Sequence, residues 1–283
     1  MKEKLNIKSE QHLAFRLGYQ KDYLSSMKKG VQAACKTKTI TTSKGKRREV
    51  TIVSAPLKQI QSRILCMLNE VMVASDAHGW IKKRSVKTNA MPHCGNPAKL
   101  CLDLKNCFPN IPSVKIRELF EEELGCSPTV SSLLTRLTTC DYCLPQGFST
   151  SGALVNLVFR PLDTLLASYA ENNKLEYTRY GDDISFSGRR ITKQMSIEIK
   201  QYIINFGVIL NGKKEEFTQG ETSPLITGLN TSGPNLKVPR AFKRRLRAAK
   251  YEYTVKDMTG EEREHLQRSI AGREHYINFI EAP

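Results

Sequence analysis

Three carboxylates hold the most chemical promise in this chain of 283 residues. Asp103 closes the apolar run Lys99-Leu100-Cys101-Leu102-Asp103, and Asp182 and Asp183 stand side by side in Tyr180-Gly181-Asp182-Asp183. Acids brought together in a partly dry site repel one another strongly, and divalent cations among them keep them ionised. Oxygen-only ligands suit Mg²⁺, which keeps some waters and takes further ligands from substrate phosphates. The arrangement serves two-metal phosphoryl transfer, in which one ion activates a sugar hydroxyl and the other steadies a departing pyrophosphate. An Asp-Asp pair alone is more often a solvated turn, so the reading requires Asp103 to converge with it.

The elements that must position these acids follow from pattern. Lys99–Leu104 reads as a buried strand ending in a carboxylate, with Pro109 and Pro112 breaking the chain after it. Glu176–Arg179 and Ile184–Ser187 flank Gly181-Asp182 as a tight hairpin, Gly-Asp being a good two-residue turn. Upstream, helices are expected around Gln11–Leu17 and Lys21–Lys28, then a strand at Glu49–Val53. A further helix begins at Pro56, with Ile60, Ile64, Leu65, Leu68 and Met72 on one face. Ser113 is expected to cap a helix that Gly125 stops. Ser151–Ala170 reads as one helix kinked at Pro161, and Lys237–Tyr253 and Glu261–Phe279 as closing helices. Strand, helix and hairpin with helices to one side make an α+β pattern.

Composition and charge narrow the function. With 40% apolar and 25% charged residues the chain is foldable and soluble in character. No stretch approaches the roughly 18 apolar residues of a membrane span. Met1-Lys2-Glu3-Lys4-Leu5-Asn6 offers no signal-peptide core, so a cytoplasmic protein is expected. The net charge of +16 is uneven: residues 1–100 carry 20 basic and 6 acidic side chains, leaving 24 and 22 for the rest. That asymmetry points to a polyanion lying over the N-terminal third. Eight cysteines are too sparse for a disulfide scaffold. Cys140-Asp141-Tyr142-Cys143 is the one CxxC and, without a second, does not carry a zinc reading.

Read together, these segments resemble reverse transcriptases. Tyr177-Thr178-Arg179-Tyr180-Gly181-Asp182-Asp183-Ile184-Ser185-Phe186 is similar to their catalytic hairpin. Leu102-Asp103-Leu104-Lys105-Asn106-Cys107-Phe108-Pro109 resembles the first palm motif and Leu144-Pro145-Gln146-Gly147-Phe148-Ser149 the second, in the family's order. Asn89-Ala90-Met91-Pro92-His93 matches the Asn-Ala-x-x-His element of retron enzymes, and Ile226-Thr227-Gly228 resembles their Val-Thr-Gly element. The resemblance implies a right-hand polymerase: a basic N-terminal region and fingers over 1–98, a palm over 99–232 and a short helical thumb over 233–283.

It also implies roles for individual residues. Asp103, Asp182 and Asp183 would hold two Mg²⁺ ions, Mn²⁺ being an alternative, with the backbone carbonyl of Leu104 assisting. Phe108 would form the wall that excludes a 2′-hydroxyl. Gln146 and Gly147 would line the incoming nucleotide, Arg48 with Lys46 or Arg47 would grip its triphosphate, and Lys214 would protonate pyrophosphate. Asn89, His93, Thr227 and Gly228 would help choose the RNA. Between Lys237 and Tyr251 lie seven basic residues and no acid. Of these, Arg240, Lys243, Arg244 and Arg247 are expected to track phosphates, with Phe242, Leu246 and Ala249 facing inward. The implied partners are dNTPs, a cognate noncoding RNA, its branched RNA–DNA product and a separately encoded effector in defence against phage. Other bacterial reverse transcriptases of the intron-maturase, diversity-generating or abortive-infection type stay open, as does an RNA-binding scaffold that sequesters a toxin. Gly181 stands where retron enzymes most often carry Ala, read as a tolerable exchange. Cys107 and Phe148 also depart from the family's usual residues.

Overall fold

The computed structural model describes residues 2–41, 45, 47–220 and 224–282. Two helices, α1 (Glu10–Leu17) and α2 (Lys21–Gly30), precede a two-stranded antiparallel ribbon of β1 (Cys35–Thr41) and β2 (Arg47–Val53). Lys46, in the basic run before β2, lies outside the described residues. Next come α3 (Ala55–Leu68) and the short α4 (Val86–Ala90), which tightens into a 3₁₀ turn over Met91–His93. Strand β3 (Ala98–Asp103) is followed by α5 (Ser113–Glu118), α6 (Pro128–Thr138), α7 (Ser151–Val158) and α8 (Arg160–Asn172). The hairpin β4 (Glu176–Tyr180) and β5 (Asp183–Gly188) leads to α9 (Lys193–Asn205) and the edge strand β6 (Glu216–Gln219). Helices α10 (Arg240–Val255) and α11 (Gly260–Glu281) close the chain.

Strands β4, β5, β3 and β6 form one antiparallel sheet in that order. Helices supply the main core against it, with Leu100, Leu102, Ile184 and Phe186 from the sheet packing with Leu133, Leu154, Leu157 and Ile199. A second, smaller core joins Ala90, Ile226, Leu229, Leu236, Val238 and Ile280, tying α4 and the 226–238 segment to the end of α11. The α+β architecture expected from the sequence is therefore present.

Several local readings need correction. Met72 lies beyond the end of α3 and is exposed, since the helix stops at Leu68. Ser113 does not cap α5: Pro112, extended at φ −71°, takes that position, and the Ser113 amide donates to the Tyr142 carbonyl at 2.8 Å. Ser151–Ala170 is two helices rather than one kinked helix. Pro161 falls in the first turn of α8, where its missing N–H is no loss. Helices α4, α6 and α9 and strands β1 and β6 are additional to the elements read from the sequence. Among the described residues no helix is long and apolar enough to cross a membrane.

Candidate active site

Strand register brings the three acids together. In the β3–β5 ladder Asp103 pairs directly with Asp183, and cross-strand antiparallel partners lie about 4.5–5.5 Å apart at Cα with side chains on one face. The turn at Gly181-Asp182 folds back over the end of β3, where the Leu104 amide donates to the Asp182 carbonyl at 2.9 Å. Gly181 takes φ +67°, a left-handed turn conformation that glycine adopts without strain. Asp103 is buried and accepts from Asn211 Nδ2 at 2.8 Å and from the Lys214 ammonium. Among the described residues no group of three acidic, imidazole or thiol side chains is arranged to hold a metal ion, and the Asp103 oxygens face these two partners.

The electrostatics are those of crowded acids. Burial raises the Asp182 carboxyl above its ordinary range; Asp103 adds to this, while Lys214 and Arg48 oppose it. Asp183 is pushed up to about 6, by burial first and then by the charges of Asp182 and Asp103. A hard, oxygen-only donor set in which the charge of Asp103 helps raise the pKa of both hairpin acids fits divalent cations such as Mg²⁺. A cleft of about 420 Å³ opens over Asp103 and Asp183, with Lys214, Thr227 and Gly228 also on its walls.

The other expected nucleotide residues gather around the same point. Gly147 takes φ +120°, and a Cβ there would meet the Thr51 carbonyl oxygen at 2.5 Å and Val50 Cγ1 at 2.6 Å. Strand β2 therefore sits directly on the Gln146-Gly147 backbone, its Thr51 amide donating to the Gln146 carbonyl at 2.8 Å. Exposed Arg48, on the docked strand, lies within electrostatic reach of Asp182. Phe108 is half-buried against the main core and meets Trp80 edge-on, with ring centroids 5.4 Å apart at 72°. Cys107 and Phe148 are both buried.

The two short signature elements behave differently from expectation. His93 and Asn89 are fully buried, so neither side chain is open to RNA. His93 bonds Ser187 Oγ at 2.7 Å and Thr178 Oγ1 at 2.8 Å, locking α4 to the hairpin strands, and burial lowers its pKa to about 3. The assignment of RNA contact to these two residues is thus corrected to a structural one. Thr227 and Gly228 both take positive φ, at +46° and +79°, in a turn on the cleft wall. Thr227 Oγ1 donates to the Val86 carbonyl at 3.2 Å, and Ile226 shares a small core with Ala90, so the two signature elements meet in space.

On α10, Leu246 and Ala249 are buried and Phe242 partly so, while Arg240, Arg244 and Arg247 are exposed as expected. Lys243 differs, being paired with Glu281 of α11 at 2.8 Å, as is Lys250 with Glu274 at 2.5 Å. The Cys140 thiol is pushed up to about 12, chiefly by burial, so the CxxC offers no ready thiolate.

Residues with no evident sequence signal lie under the hairpin. Arg179 and Asp163 form a fully buried ion pair through two 2.7 Å bonds. Arg179 Nη1 also donates to the Gly181 carbonyl at 3.1 Å and to Asn156 Oδ1 at 3.2 Å. The tip that carries Asp182 is thus anchored from below. The one available hint was a charged residue in an otherwise inward-facing strand position, Arg179 beside Tyr177 and Thr178.

Residues 28–243 match the family model described as Reverse transcriptase (RNA-dependent DNA polymerase). The chain is 31% identical over 246 residues to the Retron Mx65 reverse transcriptase of Myxococcus xanthus, covering 78% of this chain and 57% of that protein. It is 30% identical over 198 residues to the Retron Ec86 reverse transcriptase of Escherichia coli, covering 69% of this chain and 62% of that one. The chain thus spans less than two thirds of the length of either relative. Among solved structures, telomerase from Candida albicans in complex with a fragment of telomeric RNA superposes with TM-score 0.54 at 11% identity. That match covers 89% of this chain and 57% of the telomerase, and at this identity it is a likeness of fold.

Proposed function

Because the chain belongs to the reverse transcriptase family and is of the retron type, we propose that it is a Mg²⁺-dependent, RNA-directed DNA polymerase. It copies part of a structured noncoding RNA into single-stranded DNA, starting from an internal 2′-hydroxyl, and works with a separate effector in defence. The observation that carries the polymerase reading is the Asp103–Asp183 cross-strand pair with Asp182 at the adjoining turn. Residues 1–98 act as fingers with a basic N-terminal region, 99–232 as palm and 233–283 as thumb.

Asp103, Asp182 and Asp183, with the Leu104 carbonyl, would hold the cations. When bound, two ions supply the positive charge that makes the attacking hydroxyl acidic and offsets charge on the leaving pyrophosphate. The protein's own groups do the rest. Phe108 would be the wall met by a ribose 2′-hydroxyl, so that deoxynucleotides are selected by exclusion. Gln146 and Gly147 line the nucleotide, and Arg48 on the docked ribbon meets the triphosphate. Lys214, which bonds Asp103, would give a proton to pyrophosphate. Thr227 and Gly228 on the cleft wall face the RNA, whose A-form stems are read through backbone and 2′-hydroxyls.

The test is extension of an oligo(dT) primer on poly(rA) with dTTP and Mg²⁺. Asp182→Asn abolishes synthesis while the far-UV circular dichroism and thermal midpoint stay near wild type. Undiminished synthesis by that variant refutes the metal assignment. Sequencing nucleic acid that copurifies with the protein separates the retron reading, which predicts branched RNA joined to short DNA, from linear cellular RNA.

A further inference from the structure

Trp80 is the chain's single tryptophan and sits at φ +57°, a conformation that bulky side chains rarely adopt. Strain of this kind persists only where the surroundings enforce it. They do so here by removing side chains. A Cβ on Gly152 would meet Trp80 Cγ at 2.5 Å, and one on Gly181 would meet Trp80 Cη2 at 2.7 Å and Cζ3 at 3.0 Å. A Cβ on Gly79, just before Trp80, would meet the Gly181 amide nitrogen at 2.8 Å. Asn156 Nδ2 fixes the same loop by donating to the Gly79 carbonyl at 2.7 Å, and the His78 amide donates to the Arg179 carbonyl at 2.7 Å. One face of the indole therefore rests on the turn bearing Asp182, while its ring meets Phe108 edge-on. Even so, 48% of Trp80 remains exposed, far more than its close neighbours would suggest for a core residue.

We propose that Trp80 is a positioning residue that couples the Phe108 wall to the Gly181-Asp182 turn, so that sugar choice and the placement of the carboxylates are set by one ring. The proposal rests on the polymerase reading above. It also explains Gly181: Ala at that position is not the neutral exchange its size suggests, because its methyl group would enter the indole ring.

The experiment is a double-mutant cycle at positions 80 and 181, read by primer extension and by the rNTP/dNTP incorporation ratio. Gly181→Ala lowers dTTP incorporation by about a hundredfold in the wild-type background, the order of loss expected from misplacing reacting groups by an ångström. In the Trp80→Ala background the same substitution costs about tenfold or less, since only the backbone strain at φ +67° remains. Trp80→Ala raises the rNTP/dNTP ratio about five- to tenfold, the worth of one aromatic contact, and Phe108→Ala raises it further. Trp80→Phe, which keeps a ring and guards against a folding defect, restores the ratio to near the wild-type value. Equal losses from Gly181→Ala in both backgrounds overturn the proposal, as does a Trp80→Ala ratio unchanged while that of Phe108→Ala rises. Its failure is separable from that of the polymerase reading, which falls only if Asp182→Asn still extends primers.

Discussion

Replacing Arg179 with Met removes the counterion of Asp163 at a point where both side chains are fully buried. Four guanidinium bonds disappear, two to Asp163 at 2.7 Å, one to Asn156 at 3.2 Å and one to the Gly181 carbonyl at 3.1 Å. Asp163 keeps only the Tyr177 hydroxyl, at 2.7 Å. An uncompensated buried charge of this kind costs about 3–5 kcal/mol. Most of that loss comes from the stranded carboxylate, not from the absence of the pair. The combined variant Arg179→Met/Asp163→Leu/Tyr177→Phe therefore returns to within about 2 kcal/mol of wild type. Its activity does not return, because the Gly181 carbonyl still lacks its donor and the turn carrying Asp182 has lost its support from below; synthesis remains about a hundredfold down. Urea unfolding followed by circular dichroism at pH 7 gives the stabilities, and primer extension gives the rates. A single variant that loses less than about 1 kcal/mol, or a triple variant as unstable as the single, refutes the reasoning.

Two further outcomes follow from the geometry. His93 is held neutral, with its pKa lowered to about 3 by burial, so the unfolded chain binds the proton more readily between pH 6.5 and 3. Stability from this group is complete above pH 6.5 and falls by about 1.4 kcal/mol per unit below it, or about 2 kcal/mol at pH 5. In chemical denaturation at pH 7 and pH 5, His93→Gln narrows the difference between the two by that amount; an unchanged difference contradicts the assignment. On α10, Arg240, Arg244 and Arg247 are exposed whereas Lys243 is tied to Glu281. Each Arg→Ala change reduces the salt slope of binding to structured RNA by about 0.7–0.9, and Lys243→Ala reduces it less. Equal slopes for all four variants contradict a phosphate-tracking face.

The carboxylates were legible in the sequence because short-range signals position them: an apolar strand ending in Asp103, and a Gly-Asp turn between two alternating segments. From the sequence Gly147 reads only as lining the nucleotide; the docking of β2 onto it is a tertiary event that no local pattern marks. Asn89 and His93 show the limit. A polar residue in a motif does not reveal whether it faces out or in, and here the ring of His93 satisfies Thr178 and Ser187 across a long loop. Arg179 and Asp163 were hidden for the same reason, their pairing being a tertiary event. Strand β6 is a four-residue edge with mostly exposed side chains, so it lacks the alternation that marks a half-buried strand. Helix α6 announces itself through Ser127, which caps it by accepting from the Val130 amide, followed by Pro128 in its first turn.

Anomalous diffraction from crystals of the protein grown with Mn²⁺ and a primer–template tests the account most directly. Two peaks about 3.5–4 Å apart, bounded by Asp103, Asp182 and Asp183, are predicted. Manganese bound elsewhere, with these three carboxylates contacting no ion, would contradict it.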